Sequence, residues 1–343
     1  MKKKHIIIII FLLGMATGAY LMNKIFYTSN IQLPKAKTYL DVPENTNLDS
    51  LTKILSPYLK SKRTFQWASK IKRFSKPKAG RYLLKNGMSN NELINMLRIG
   101  NRVEVNVTFN NKNYLDDLAG AVSRQIAPDS LSLLKAMNDN EFIKKNAFTK
   151  DNILLMYIPN TYRMYYNTSA EQFRNKMLKE YQKFWTDERI AQAKKQGLTP
   201  IEAGILASII QKESTKASEL PRIAGVYLNR LKKGMLLQAD PTVVYAYRQK
   251  HGRDLVIKRV LNKHKEIDSP YNTYKYAGLP PGPVCMPDIR SIKAVLQPEK
   301  HNYLYFVADF NKPGYHIFSK SLSEHNRHAR NYHTHLNRNR IYH

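Results

Sequence analysis

Cysteine is almost missing: Cys285 is the single one in 343 residues. That excludes a disulfide framework within the chain and any zinc site built on two or more thiolates. Glycine is scarce at 14 residues and shows no period, which excludes collagen-like and glycine-rich repeat classes. Acid is the third shortage, with 26 Asp and Glu against 56 Lys and Arg, a formal net charge of +30. What is present excludes a mostly disordered chain: 43% of residues are hydrophobic, with 22 Tyr and 12 Phe. At roughly 150 residues per domain, the length suits two or three domains.

So large a positive charge calls for a polyanion, and nucleic acid, an anionic membrane surface and an acidic wall polymer all qualify. The N-terminus chooses among them. Lys2, Lys3 and Lys4 precede Ile6 to Met22, an uncharged stretch bounded by Lys24. This reads as a membrane anchor with a cytoplasmic N-terminus, residues 1–27, followed by a linker over 28–38. A cleaved signal peptide is the rival, with Thr17-Gly18-Ala19 as its small-residue site, but Tyr20, Leu21 and Met22 continue the apolar run past that cut. Either reading places the basic bulk outside the cytoplasm and removes nucleic acid from first place as a partner, and no recognition motif for it is present.

Residues 39–104 read as a small α+β module. Tyr39 to Val42 and Gly80 to Leu84 have strand composition; Leu51, Ile54 and Leu55, then Phe65, Ala68 and Ile71, have helical spacing. Ser89 and Glu92 form a capping box opening a helix that turns Leu93, Met96 and Leu97 inward and closes at Gly100. Val103, Val105 and Val107 alternate as a strand. From 105 to 323 helices predominate, interrupted by Leu154 to Tyr162 and ending in a strand at Tyr303 to Ala308. The overall class is α+β. The tail 324–343 carries His325, His328, His333, His335 and His343 among Arg327, Arg330, Arg338 and Arg340. Three-residue spacing puts His325 and His328 on one helical face, but no carboxylate pattern completes a metal site, and a basic, frayed terminus is the expectation.

The richest chemistry follows Thr199. Thr199, Pro200 and Glu202 start a helix whose apolar stripe, Ile205, Leu206, Ile209 and Ile210, reaches Glu213 one turn later. A carboxyl on a buried face is desolvated, and its raised pKa suits a general acid. The alternative is that Glu213 merely closes the helix, exposed or paired with Lys212 or Arg222. Further on, Gln238-Ala239-Asp240-Pro241-Thr242, Ser269-Pro270-Tyr271-Asn272-Thr273-Tyr274 and Gly278-Leu279-Pro280-Pro281-Gly282-Pro283 are rigid loops of amides, hydroxyls and rings. Such groups suit a sugar better than a metal.

Those loops, with Lys212-Glu213, Tyr227-Leu228-Asn229-Arg230-Leu231, Ile158-Pro159-Asn160-Thr161-Tyr162 and His316-Ile317-Phe318, resemble the endolytic murein transglycosylase family over roughly residues 80–332. The resemblance implies an inner-membrane enzyme with one N-terminal helix and a LysM-like small domain, its bulk periplasmic or otherwise extracytoplasmic. It implies cleavage of peptidoglycan strands between N-acetylmuramic acid and N-acetylglucosamine, leaving 1,6-anhydro ends. Glu213 is then the catalytic acid and afterwards base, with no metal or organic cofactor. Gln238, Asp240, Tyr271, Asn272 and His316 are expected substrate contacts, with Asp240 also able to fix a turn before Pro241. A noncatalytic peptidoglycan-binding scaffold and a two-carboxylate muramidase using Asp240 are the alternatives. An enzyme cutting strands at the membrane suits a place beside peptidoglycan synthases, although no motif specifies one. Gln211, Ala239 and Cys285-Met286 depart from the family's usual residues.

Overall fold

The computed structural model describes residues 3–257 and 259–338. Lys2 of the N-terminal lysine cluster, and Arg340 and His343 of the tail, lie outside the described residues. The chain is mixed α+β, as expected, and divides into two compact units.

The first unit comprises residues 1–107 with 124–128 and 162–169. It opens with α1 (Lys3–Phe26), whose 24 residues extend about 36 Å at 1.5 Å each. The helix is long and apolar enough to cross a membrane, and its apolar side chains from Ile6 to Met22 are exposed. It is compatible with a single-pass anchor. Its last residues, Ile25 and Phe26, are buried in the unit's core.

The stretch from 28 to 38 is not a free linker at its start. Asn30 and Ile31 are buried; Ser29 and Ile31 bridge to Ser89 and Leu59, and the Asn30 amide donates to Ser61 O and Asn90 Oδ1. Two buried polar residues thus satisfy each other and tie this segment down.

β1 (Thr38–Val42), α2 (Leu48–Leu55), α3 (Lys62–Ile71) and β2 (Gly80–Leu84) follow, with β1 and β2 antiparallel and Leu40 opposite Tyr82. Asn47 and Ser61 cap the two helices. Phe65 and Ala68 enter the core as expected, but Ile71, in the last turn of α3, is about half exposed. α4 (Asn90–Ile99) has the full Ser89–Glu92 capping box, and Gly100 closes it in the left-handed region at φ 82°. Ile94 joins Leu93 and Leu97 inside, whereas Met96 is only partly covered. β3 (Glu104–Phe109) runs beyond the expected Val107 and pairs with β4 (Asn160–Tyr165).

The second unit comprises 108–123, 129–161 and 170–343. Its first helices are α5 (Leu115–Ser123), α6 (Ser130–Met137) and α7 (Asn140–Lys145), the latter two capped by Asp129 and Asp139. A 3-10 turn at Ile153–Met156 precedes β4, and α8 (Ala170–Phe184) and α9 (Asp187–Lys195) come after it.

α10 (Pro200–Glu213) carries the expected Thr199–Glu202 capping box. It is not a one-striped amphipathic helix: every residue from Ala203 to Ile210 is buried. A helix apolar all round must be covered all round. α9, α11 (Leu220–Lys232), α12 (Asp240–His251) and, after the short α13 (Asn262–Lys265), α14 (Ile289–Leu296) pack around it.

β5 (Tyr305–Ala308) and β6 (His316–Ser319) form an antiparallel hairpin. The chain then continues as α15 (Leu322–Arg338), packed against both strands, rather than fraying as a tail from 324. His325 stacks on Tyr305 at 5.4 Å between ring centres and His335 on Phe310 at 4.6 Å, which binds this basic helix to the unit.

Candidate functional site

Glu213 is the last residue of α10, and Ser214 turns the chain away in an extended conformation. The carboxyl thus stands at the end of a helix buried from Ala203 to Ile210, where the chain opens into a cleft of about 390 Å³. Glu213 and Asp240 line this cleft together with Tyr114, Tyr245 and Arg248.

Burial is the largest influence on Glu213 and pushes its pKa up to about 7. A hydrogen bond from the Tyr227 hydroxyl to Oε1, 2.7 Å long, and the charge of Arg230 pull the other way, while Asp240 adds to the rise. The partial negative charge at the C-terminal end of a helix also disfavours a carboxylate there. Neither of the sequence-level pairings forms: Arg222 bonds Glu299 instead, and Lys212 is exposed.

Tyr227 is 2% exposed on α11 and meets Phe306 edge-on at 5.9 Å. Burial, then the neighbouring Glu213, raises the phenol's own pKa, so it stays a donor. Phe306 packs in turn against the His316 ring at 5.2 Å. His316 Nδ1 lies 3.0 Å from Glu219 Oε2, and its backbone N–H donates to Glu219 Oε1. Ser214 Oγ donates to the same Glu219 carboxylate at 3.2 Å. His316, expected to touch substrate, is not among the residues lining the cleft and shares the Glu219 carboxylate with Ser214, in the turn directly after Glu213.

Asp240 is exposed at the first residue of α12, and the Tyr274 hydroxyl donates to its Oδ1 at 2.6 Å. Gln238, two residues earlier, is exposed and sits in the left-handed region at φ 50°. A non-glycine residue holds that conformation only if its surroundings fix it. Here they do: Gln238 N–H donates to Thr273 O, Ala239 N–H to Thr273 Oγ1, and the buried Arg230 guanidinium to Leu237 O and Leu304 O. Ala239, which has no side-chain acceptor, makes no side-chain cap on α12.

Tyr271 and Asn272 do not reach the cleft lining either. Asn272 is fully buried; its amide donates to Lys265 O and Ile267 O, and its Oδ1 accepts from Tyr274 N–H. Tyr271 packs against Tyr245 at 4.8 Å. The Asn272 amide is used by its loop's own backbone groups, and its bond to Tyr274 N–H holds the loop that aims the Tyr274 hydroxyl at Asp240. Gln211 does similar work, accepting from Asp288 N–H at 2.5 Å. Cys285 is buried with its thiol pushed up to about 12, hence inert.

Sequence reasoning assigned no role to Tyr227, Tyr274, Arg230 or Glu219. The first three lay inside quoted motifs, but their partners are far away in sequence, and no local spacing announces a contact between separate helices. Among the described residues no group of three or more His, Cys, Asp or Glu gathers as for a metal ion.

This chain matches the model of the YceG-like family over residues 40–331. It is 33% identical over 328 residues to a Bacillus subtilis protein named endolytic murein transglycosylase, covering 90% of this chain and 89% of that one. A Streptococcus pneumoniae protein of the same name is 28% identical over 351 residues, which cover 93% of this chain and 63% of that longer one. The crystal structure of a YceG-like protein from Listeria monocytogenes superposes with a TM-score of 0.54 at 30% identity, covering 85% of this chain and 98% of the other.

Proposed function

The chain belongs to the YceG-like family, and from that membership and the cleft's chemistry we propose that it is a peptidoglycan lytic transglycosylase with Glu213 as its catalytic acid and base. The relatives' name supports the reaction class. The observation that carries the assignment to Glu213 is a carboxyl in the cleft wall whose pKa is pushed up to about 7. Near neutral pH such a group exists in both forms, so it can give a proton and then take one.

In the forward step the protonated Glu213 donates to the glycosidic oxygen between N-acetylmuramic acid and N-acetylglucosamine. That bond breaks as positive charge spreads over C1 and the ring oxygen. The carboxylate left behind accepts the proton of the muramyl C6 hydroxyl, and that oxygen bonds to C1. The proton returns to Glu213, no water is consumed, and the product is a 1,6-anhydro end. Tyr227 steadies the carboxylate between the two transfers. Asp240, held by Tyr274, faces the developing positive charge or a sugar hydroxyl.

α1 anchors the protein in the cytoplasmic membrane with the bulk of the chain outside. Residues 39–104, with their β1–α2–α3–β2 order, act as a LysM-like module holding glycan. The test is Glu213→Gln, which keeps size and loses the titrating proton. Release of anhydro products should fall about a hundredfold or more in a folded protein; near-normal release would place the acid elsewhere. Asp240 in the same cleft supports a second reading, a hydrolase in which Asp240 activates water.

A further inference from the structure

The proposed reaction uses the carboxyl groups of the cleft and leaves its cations without a task. Lys212, Arg248 and Arg259 line the same cavity, with Glu213 and Asp240 as its acids. α12 supplies Asp240, Pro241, Val244, Tyr245 and Arg248, a spacing that puts them all on one helical face. That face is one wall of the cleft, and at 1.5 Å per residue Arg248 stands about 12 Å along the axis from Asp240.

Arg248 is half-buried, and its Nε donates to Leu255 O at 2.9 Å. That bond orients the guanidinium and leaves its terminal nitrogens without a protein partner among the described residues. Arg259 and Lys212 are exposed and make no ion pair among the described residues. Arg253 differs: it is paired with Asp116 and lies 4.1 Å from the Tyr114 ring centre. It is neutralised and backs Tyr114, whose ring stacks on Tyr245 at 5.7 Å. Two stacked rings with uncommitted cations beside them suit a sugar that carries an anionic branch.

We infer that Arg248, Arg259 and Lys212 form an anion subsite that takes the carboxylates of the peptide branching from the muramyl lactyl group. The inference rests on the proposed reading of the cleft as a glycan site. A strand placed with its scissile bond at Glu213 brings such branches at every disaccharide, covalently attached and therefore at high local concentration. A guanidinium fork matches a carboxylate edge to edge. A separate phosphate polymer would have to enter beside the strand. The cleft therefore selects strands that still carry charged peptide.

The test compares strands of one length in two forms, with free peptide carboxylates and with those carboxylates converted to methylamides. Dissociation constants are measured for the full-length chain in detergent micelles, carrying Glu213→Gln to stop turnover. The carboxylate strands should bind about tenfold tighter, the size of one part-exposed charge-assisted pair. The margin should narrow at high salt. In a chain that also carries Arg248→Gln and Arg259→Gln it should shrink below twofold, with Arg259→Gln alone, at an exposed position, giving a partial loss. Equal binding of the two strand forms overturns the inference, as does a tenfold margin that survives the double substitution. Tighter binding of polyglycerol phosphate, lost with the same substitutions, also overturns it and assigns the wall to a phosphate polymer. Cleavage is scored separately with Glu213 intact: a charge preference without cleavage of either strand upholds the subsite and refutes the enzyme.

Discussion

Tyr227→Phe removes one oxygen from the interior and keeps the ring that packs on Phe306. The lost group is the donor to Glu213 Oε1, and the bond favours the ionised carboxyl. Its loss therefore raises the Glu213 pKa further above about 7. A hydrogen bond to a charged group contributes about 1.5–3 kcal/mol, and 1.36 kcal/mol corresponds to one pH unit, so the rise is about one to two units. Because Glu213 starts the reaction protonated, its ionisation sets the alkaline limb of kcat/KM against pH. That limb should move upward by the same amount in Tyr227→Phe, with a modest loss of rate on the acid side from a less firmly held carboxyl. The assay is release of anhydro-muropeptides from defined strands across pH 5 to pH 10. An unmoved limb, or one displaced to lower pH, would refute the linkage of Tyr227 to the reacting proton.

Glu213→Gln should also stabilise the protein at alkaline pH. A carboxyl whose folded pKa is raised from 4.5 to about 7 binds its proton more tightly when folded, so stability is lost as pH climbs through that window. The full shift corresponds to about 3 kcal/mol, and roughly 2 kcal/mol remains after allowing for the part of the carboxyl that reaches water; the Tm of the variant should exceed that of the native chain at pH 8 and match it near pH 4. Asp240→Asn keeps an acceptor for Tyr274 and should cost the one-acid reaction less than tenfold; a loss equal to that of Glu213→Gln would instead mark a two-carboxylate hydrolase. Gly282→Ala would put a methyl group 2.6 Å from the Tyr271 hydroxyl and closer still to the Asp151 carbonyl, and should cost about 3 kcal/mol or more in denaturant melts. Gly120→Ala, in α5 with open space around it, should be neutral or stabilise by about 0.5–1 kcal/mol.

The features legible in the sequence are those whose cause is local. The Ser89–Glu92 and Thr199–Glu202 capping boxes involve partners three residues apart, and both form. The place of Glu213 at the end of a buried helix was legible because helical spacing can be extended by one turn. The environment that shifts its proton was not, since Tyr227 reaches it from another helix and Asp240 from a third. Asn272 shows what composition leaves open: an amide that suits an acetamido sugar suits a pair of backbone carbonyls equally well. Asn30 and Ile31 read as linker because their partners, Ser61, Asn90 and Leu59, lie some thirty to sixty residues later. Likewise the basic composition after Ser323 hid the rings that fasten α15, as His325 and His335 count as polar in sequence but stack like aromatics.

The central claim, that Glu213 serves alone and closes the C6 oxygen onto C1, is tested most directly by the origin of the oxygen at the new strand ends. Purified strands are cleaved by the full-length protein in water enriched in heavy oxygen, and the released ends are weighed by mass spectrometry. The account requires anhydro ends that carry no label, because no water enters the bond. Ends heavier by one labelled water would contradict it and make the protein a hydrolase, with Asp240 as the partner of Glu213.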